Sequence, residues 1–178
     1  MVTDYDFWKK AYQTTWAKTG KRTRSVADLI EEHTHKKVDI VGFGADSSDF
    51  ISGSAESHGY DKGEADLAIK ETNIHVEVTG TDSPRIHPPD PLYIRPDKIE
   101  NARAHLKGRD TWVVHSLDSS KLLRAIKLDT DFFASYDSGK YPTIQRRIRG
   151  NIETFVSIPA NDKKVQNMQI LIDEIERK

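Results

Sequence analysis

The sequence predicts an α/β fold with a mixed central β-sheet flanked by helices, on three observations. Some segments alternate apolar and polar residues every second position, while others repeat apolar residues every three or four. These segments run helix, helix, strand, strand, strand, helix, strand, followed by a smaller β/α extension. Three strands in a meander, then a helix and a returning strand, imply one sheet with both antiparallel and parallel neighbours. At 178 residues the chain suits a single domain, 1–178, with a sizeable core.

Thr3 followed by Asp6 reads as a helix start, with Phe7, Trp8, Ala11, Tyr12 and Trp16 at helical spacing and Gly20 as the stop. Ser25 and Asp28 form a second capping signature, opening a helix through Val26, Leu29 and Ile30 to about His33. "KVDIVGFG" (37–44) alternates and predicts a strand, and residues 45–63, rich in Ser, Gly and Asp, predict a loop or ragged hairpin. "ADLAI" and "NIHVEV" are two further strands joined by "KETN". Residues 80–91 hold four prolines and read as irregular. Asp97 with Glu100 caps the next helix, striped by Ile99, Ala102 and Leu106 and ended by Gly108. Strands are expected at 111–117, 122–128 and 153–160, and Val165, Met168, Ile172 and Ile175 mark a closing amphipathic helix.

Composition narrows the function. Apolar residues make up 36% and charged residues 31%, and no run approaches the ~20 apolar residues of a membrane span. "MVTDYDFWKK" lacks the features of a secretory signal, and without cysteine there are neither disulfides nor thiolate metal sites. A cytoplasmic protein is expected. Net charge is −1, but Lys18, Lys21, Arg22 and Arg24 cluster without an acid, as do Lys140, Arg146, Arg147 and Arg149. Such patches suit a phosphate backbone, making DNA the expected partner, although each alone also fits a solvated loop.

The chemistry-bearing feature is "KGEADLAIKETNIHVEVTG" (62–80). Alternation puts His75, Glu77 and Thr79 on one face of their strand, and Asp66, Ala68 and Lys70 on one face of the strand before it. A hairpin then sets Asp66 beside Glu77. Two adjacent carboxylates repel unless a proton or a cation lies between them. Mg²⁺ suits that arrangement, taking one or two carboxylates plus phosphate oxygens and water. The plainer reading is that Asp66 opens a strand and Glu77 faces solvent.

With these residues in view, the pattern resembles the PD-(D/E)XK nucleases, the restriction endonuclease-like superfamily. Its core runs helix, strand, strand with Asp, strand with Glu-x-Lys, helix, strand. The match spans about 25–117, with Asp66 in "GEADLAI" eleven positions ahead of Glu77 in "HVEVTG", and leaves 118–178 as a C-terminal extension. The resemblance implies an Mg²⁺- or Mn²⁺-dependent endonuclease with Asp66 and Glu77 as metal ligands. It further implies that Glu31 or Glu32 on the first helix assists. The sequence departs at Thr79, which stands where the family usually has lysine. A threonine hydroxyl positions water but supplies no fixed charge, so Lys98 or Lys70 is the expected substitute; the alternative is a catalytically inactive nuclease-fold module that binds nucleic acid or a partner protein. Many such enzymes dimerise, and the tail helix is the expected surface for a homodimer.

Other chemistries find less support. The seven histidines include no H-E-x-x-H, His75 reads as a surface residue and His115 as an interior, hydrogen-bonded one. "GFGADSSDFISGS" is neither a P-loop nor G-x-G-x-x-G, and no nucleophile elbow is present.

Overall fold

The computed structural model describes residues 4–45, 54, 56–148 and 150–178, with side chains described from Ala17 onward. The aromatic stripe expected between Phe7 and Trp16, most of the loop expected at 45–63, and Arg149 lie outside the described side chains.

A long helix, α1 (Asp4–Thr34), precedes the strands β1 (Val38–Ile40), β2 (Leu67–Ile69) and β3 (Ile74–Thr81). Next come β4 (Leu92–Ile94), α2 (Pro96–Ala104), β5 (Asp110–Leu117) and β6 (Leu122–Lys127). The chain continues through α3 (Thr130–Asp137), β7 (Thr143–Ile148) and β8 (Asn151–Ile158), and ends in β9 (Gln166–Asn167) and α4 (Met168–Arg177). Among the described residues, six strands form one sheet in the order β1-β2-β3-β5-β6-β9 and three form a second, β4-β8-β7. Only β3 and β5 run parallel in the large sheet, with the Pro-rich segment, β4 and α2 forming the connection between them. The fold is therefore mixed α/β, as expected.

The large sheet is buried on both faces, and β5 is enclosed from Thr111 to Leu117. One face packs Val26, Ala27 and Ile30 of α1 and Leu171, Ile172 and Ile175 of α4 against Leu67, Ile69, Val76, Val78 and Trp112. The other face packs Ile99 and Ala102 of α2, Phe132 and Phe133 of α3, and the second sheet against Val113 and Ile126. The apolar stripe of α4 is thus consumed by the core, which corrects its expected role as a dimer surface. Segments after residue 117 contribute to both faces and both sheets.

Two expected starts are corrected. The two helices predicted on either side of Gly20 are one 31-residue helix. A helical glycine costs about 1 kcal/mol, too little by itself to interrupt a helix whose following turns pack on the sheet through Val26, Ala27 and Ile30. Ser25, expected to cap, instead donates its hydroxyl to the Lys21 carbonyl at 2.9 Å within the helix. Likewise α2 opens with Pro96 at its first position, and Asp97 pairs with Arg95 at 2.7 Å rather than capping. The helix α3 and the strands β4 and β7 were not expected.

Gly63 docks the segment before β2 onto α2. Its φ is +75°, and a Cβ there would lie 2.2 Å from the Asp97 carbonyl oxygen. Gly63→Ala meets both a strained backbone and a backbone clash, and destabilises by about 2–4 kcal/mol. Chemical denaturation with an unchanged m-value checks this; a change below ~1 kcal/mol would show that the segment is not held against α2.

Candidate active site

Antiparallel pairing of Leu67 with Val76 and Ala68 with His75 sets the hairpin register. One step further, the Asp66 amide donates to the Val76 carbonyl at 3.1 Å, so Asp66 stands opposite Glu77. Both side chains leave the sheet on the face away from Val76 and Val78. The Val78 amide donates to Asp66 Oδ2 at 2.8 Å and fixes that carboxyl. Behind it, Gly42 leaves room that a Cβ would fill, 2.8 Å from Oδ1. Glu77 is buried at 8% exposure, and the two carboxyl groups are close enough to shift each other's titration.

Lys98, in the first turn of α2, completes the group. Its Nζ lies 2.8 Å from Glu77 Oε2 and donates to the Glu64 carbonyl at 2.7 Å. Glu64 spends its own carboxylate on Arg109 at 2.8 Å. Burial pushes Glu77 up to about 8, and the Asp66 charge adds to that rise. Burial also raises Asp66, against the opposing pull of Lys98. Burial alone would lower Lys98, but Glu77 and Asp66 outweigh it and its net shift is upward. At neutral pH the group is therefore one shared proton between two acids, beside a charged lysine.

This donor set fits a divalent cation. Glu77 Oε2 is buried without an aligned hydrogen bond and has the Lys98 ion pair as its partner, so it keeps acceptor capacity. Among the described residues no group of three or more His, Asp or Glu that could hold a metal ion forms. Two carboxylates would suit Mg²⁺, which draws its remaining ligands from water and phosphate.

The shared proton gives a pH prediction. A carboxylate whose pKa is raised from 4.5 to about 8 in the fold stabilises the metal-free protein fully below the lower value. That contribution is lost as pH rises through the upper one. A metal held by this pair would have to displace the same proton, so its affinity would rise up to about tenfold per pH unit toward pH 8 and then level. Titration calorimetry with Mn²⁺ in buffers of different ionisation enthalpy should show close to one proton released at pH 6.5. No proton release would mean that the acids are not the ligands.

Two solved structures resemble this fold. A nuclease from a fusselovirus is 14% identical, with 89% of this chain and 86% of that chain covered and a TM-score of 0.48. A Holliday junction resolvase from the archaeal hyperthermophile Archaeoglobus fulgidus is 12% identical, with 86% and 97% covered and a TM-score of 0.45. No family model and no curated protein matches the chain.

The structure brings Asp66, Glu77 and Lys98 together and leaves other expected residues apart. Thr79 is half-buried on the Glu77 face, opposite His115 of β5. Glu31 lies on α1, across the sheet from the pair, and its Oε1 accepts from the Val38 amide at 2.9 Å. Glu32 is exposed on the same helix. Lys70 pairs with Asp39 at 3.6 Å near the other end of its hairpin. Arg22 is only 10% exposed and grips Asp118, with Nη2 2.7 Å from Oδ2 and Nε 3.2 Å from Oδ1, so it is not offered to a phosphate backbone. Lys21 and Arg24 are exposed on α1 and Arg146 and Arg147 on β7, and Arg146 donates to the Tyr93 hydroxyl at 3.0 Å. His115 is buried at 6% exposure, its Nδ1 lies 3.3 Å from Arg124 Nη2, and burial above all lowers it to about 4. The sequence reading missed Arg95, whose charge reaches Asp66 and Lys98, and the Glu64 carbonyl that positions Lys98. The "RP" dipeptide at a helix start was the available signal for Arg95.

No helix among the described residues is long and apolar enough to cross a membrane.

Proposed function

We infer that this protein is a metal-dependent nuclease that hydrolyses phosphodiester bonds, with DNA as its substrate. The observation that carries the reading is the buried Asp66–Glu77 pair with Lys98 at 2.8 Å from Glu77 Oε2. The resemblance of the "GEADLAI…HVEVTG" pattern to PD-(D/E)XK nucleases supports it from the sequence side. A divalent ion held by Asp66 and Glu77 would supply Lewis-acid stabilisation of phosphodiester charge and a lowered pKa for attacking water.

The chain's own residues do the rest. Val78 and Gly42 hold the Asp66 carboxyl in one orientation. Lys98 places a fixed positive charge where the family lysine would act, although it comes from α2 and not from position 79. Thr79, on the Glu77 face, is suited to orient water. Lys21 and Arg147, both exposed, would meet backbone phosphates, with Arg24 adding positive charge beside Lys21.

One observation favours a second reading. Lys98 already neutralises the pair, and position 79 is uncharged, as a nuclease-fold module that binds nucleic acid without cutting it would allow. Plasmid and branched DNA incubated with Mg²⁺, with Mn²⁺ and with chelator separate the two. Metal-dependent nicking or linearisation supports the nuclease; binding without cutting under any metal supports the module.

A further inference from the structure

The small sheet is three strands wide only at its base. β4 pairs with β8 from Leu92–Ile158 to Ile94–Val156 and then leaves to begin α2. β7 and β8 continue together to the pair Ile148–Asn151. Residues 144–148 and 151–155 therefore project as a two-stranded ribbon, about 17 Å long at the usual rise. Gly150, with φ +85°, makes its tip.

The two faces of the ribbon differ. Ile144, Arg146 and Ile148 lie opposite Phe155, Glu153 and Asn151 on one face. That face is tied to the body by Tyr93, whose ring lies 6.2 Å from Phe155 and whose hydroxyl accepts from Arg146 at 3.0 Å. The other face carries Gln145 opposite Thr154 and Arg147 opposite Ile152, all four exposed. Ile152 is 63% exposed, the highest value among the exposed large hydrophobics. Arg147 and Ile152 are therefore exposed as a cross-strand pair, while Arg146, also exposed, lies on the opposite face beside Tyr93.

The Arg147/Ile152 face leads back toward the body of the molecule. Further down the ribbon it continues into buried Val156, which packs with Ile94 and Ile99. Where β4 departs, a cleft of about 500 Å³ opens between Thr154 and Glu153 on β8 and Lys62, Arg95 and Asp97 on the α2 side. Lys98, which contacts Glu77, follows Asp97 directly.

We propose that the β7–β8 ribbon is a DNA arm: its Arg147/Ile152 face enters a groove of duplex DNA, and the cleft at Arg95 guides the adjacent strand toward Asp66 and Glu77. This rests on the nuclease reading only for where the strand is led. A two-stranded ribbon matches the width of the major groove. Three arginines against one acid between residues 143 and 154 favour a polyanion over a protein partner. An isoleucine beside the arginine adds apolar contact with base edges or sugars.

The test is fluorescence anisotropy of the full chain on a 25-base-pair duplex, without divalent metal, from 50 to 300 mM salt. Arg147→Ala should weaken binding several-fold and lower the slope of log K against log salt by about 0.9, the value of one phosphate contact. Ile152→Ser should weaken binding several-fold with the slope unchanged, and Arg146→Ala should change affinity less than twofold. Equal affinity for wild type, Arg147→Ala and Ile152→Ser overturns the arm. So does a wild-type dimer in sedimentation that Ile152→Ser dissociates while DNA affinity holds. The two readings fail separately: the arm fails if cleavage occurs but the ribbon variants bind normally, and the nuclease fails if those variants lose binding but nothing is ever cut.

Discussion

Asp66→Asn and Glu77→Gln should each lower metal-dependent DNA cleavage by roughly 10²- to 10³-fold, the usual effect of removing a preorganised charge from a reacting centre. What makes the prediction specific is that stability should barely change. With its pKa pushed up to about 8, Glu77 is mostly protonated at pH 7, so a glutamine presents nearly the same shape and charge. In Asp66→Asn the new amide can turn its oxygen to the Val78 amide, keeping that hydrogen bond of the hairpin, and its NH₂ to Glu77. A shift of the melting temperature beyond about 4 °C, some 1–2 kcal/mol for a chain of this size, would signal damage to the fold instead. Nuclease assays paired with thermal melts decide the matter. Full cleavage by both variants would remove Asp66 and Glu77 from the chemistry.

The part of this site that lay within reach of sequence reasoning is the part fixed by local periodicity. Alternation placed Glu77 opposite in sense to Val76 and Val78, and the short "KETN" connection forced the register that brings Asp66 alongside. Lys98 could be nominated because a helix start beside the sheet was evident, yet its contact with Glu77 depends on the path of the Pro-rich segment, which no periodicity encodes. The same limit hid the second sheet. Leu92–Ile94 is only three residues long and pairs with a strand more than 60 residues later, so nothing nearby marks it as a strand. The ribbon strand β7, with its mostly exposed "TIQRRI", shows the weak pattern of an element buried on neither face. By contrast α3 carried a readable cap, the Asp129 side chain accepting from the Phe132 amide at 2.9 Å, that the reading passed over. Glu31 failed for a different reason. The first-helix stripe was identified correctly, but that stripe packs on the sheet face opposite the acids, and the carboxylate satisfies a β1 amide.

Lys98→Met tests how the site manages without lysine at position 79. The methionine keeps the buried stem and removes the charge 2.8 Å from Glu77 Oε2. Cleavage should fall by roughly 10²- to 10³-fold, whereas Thr79→Val, which removes no charge, should cost less than about tenfold. The stability effect depends on pH in a way that a simple packing defect would not. Without the ammonium the remaining carboxylate charge is harder to hold in the buried site, because Lys98 is what pulls against its burial. The sign follows from the direction of the shift: a carboxyl pKa raised in the fold gives stability that is present at low pH and lost as pH rises. Melting temperatures of wild type and variant should therefore differ clearly more at pH 7 than at pH 5. A gap that stays constant across this range would mean that Lys98 acts through packing alone. In that case the positive charge needed for phosphodiester chemistry would have to come from elsewhere, and Arg95, whose charge already reaches Asp66, is the group next in reach.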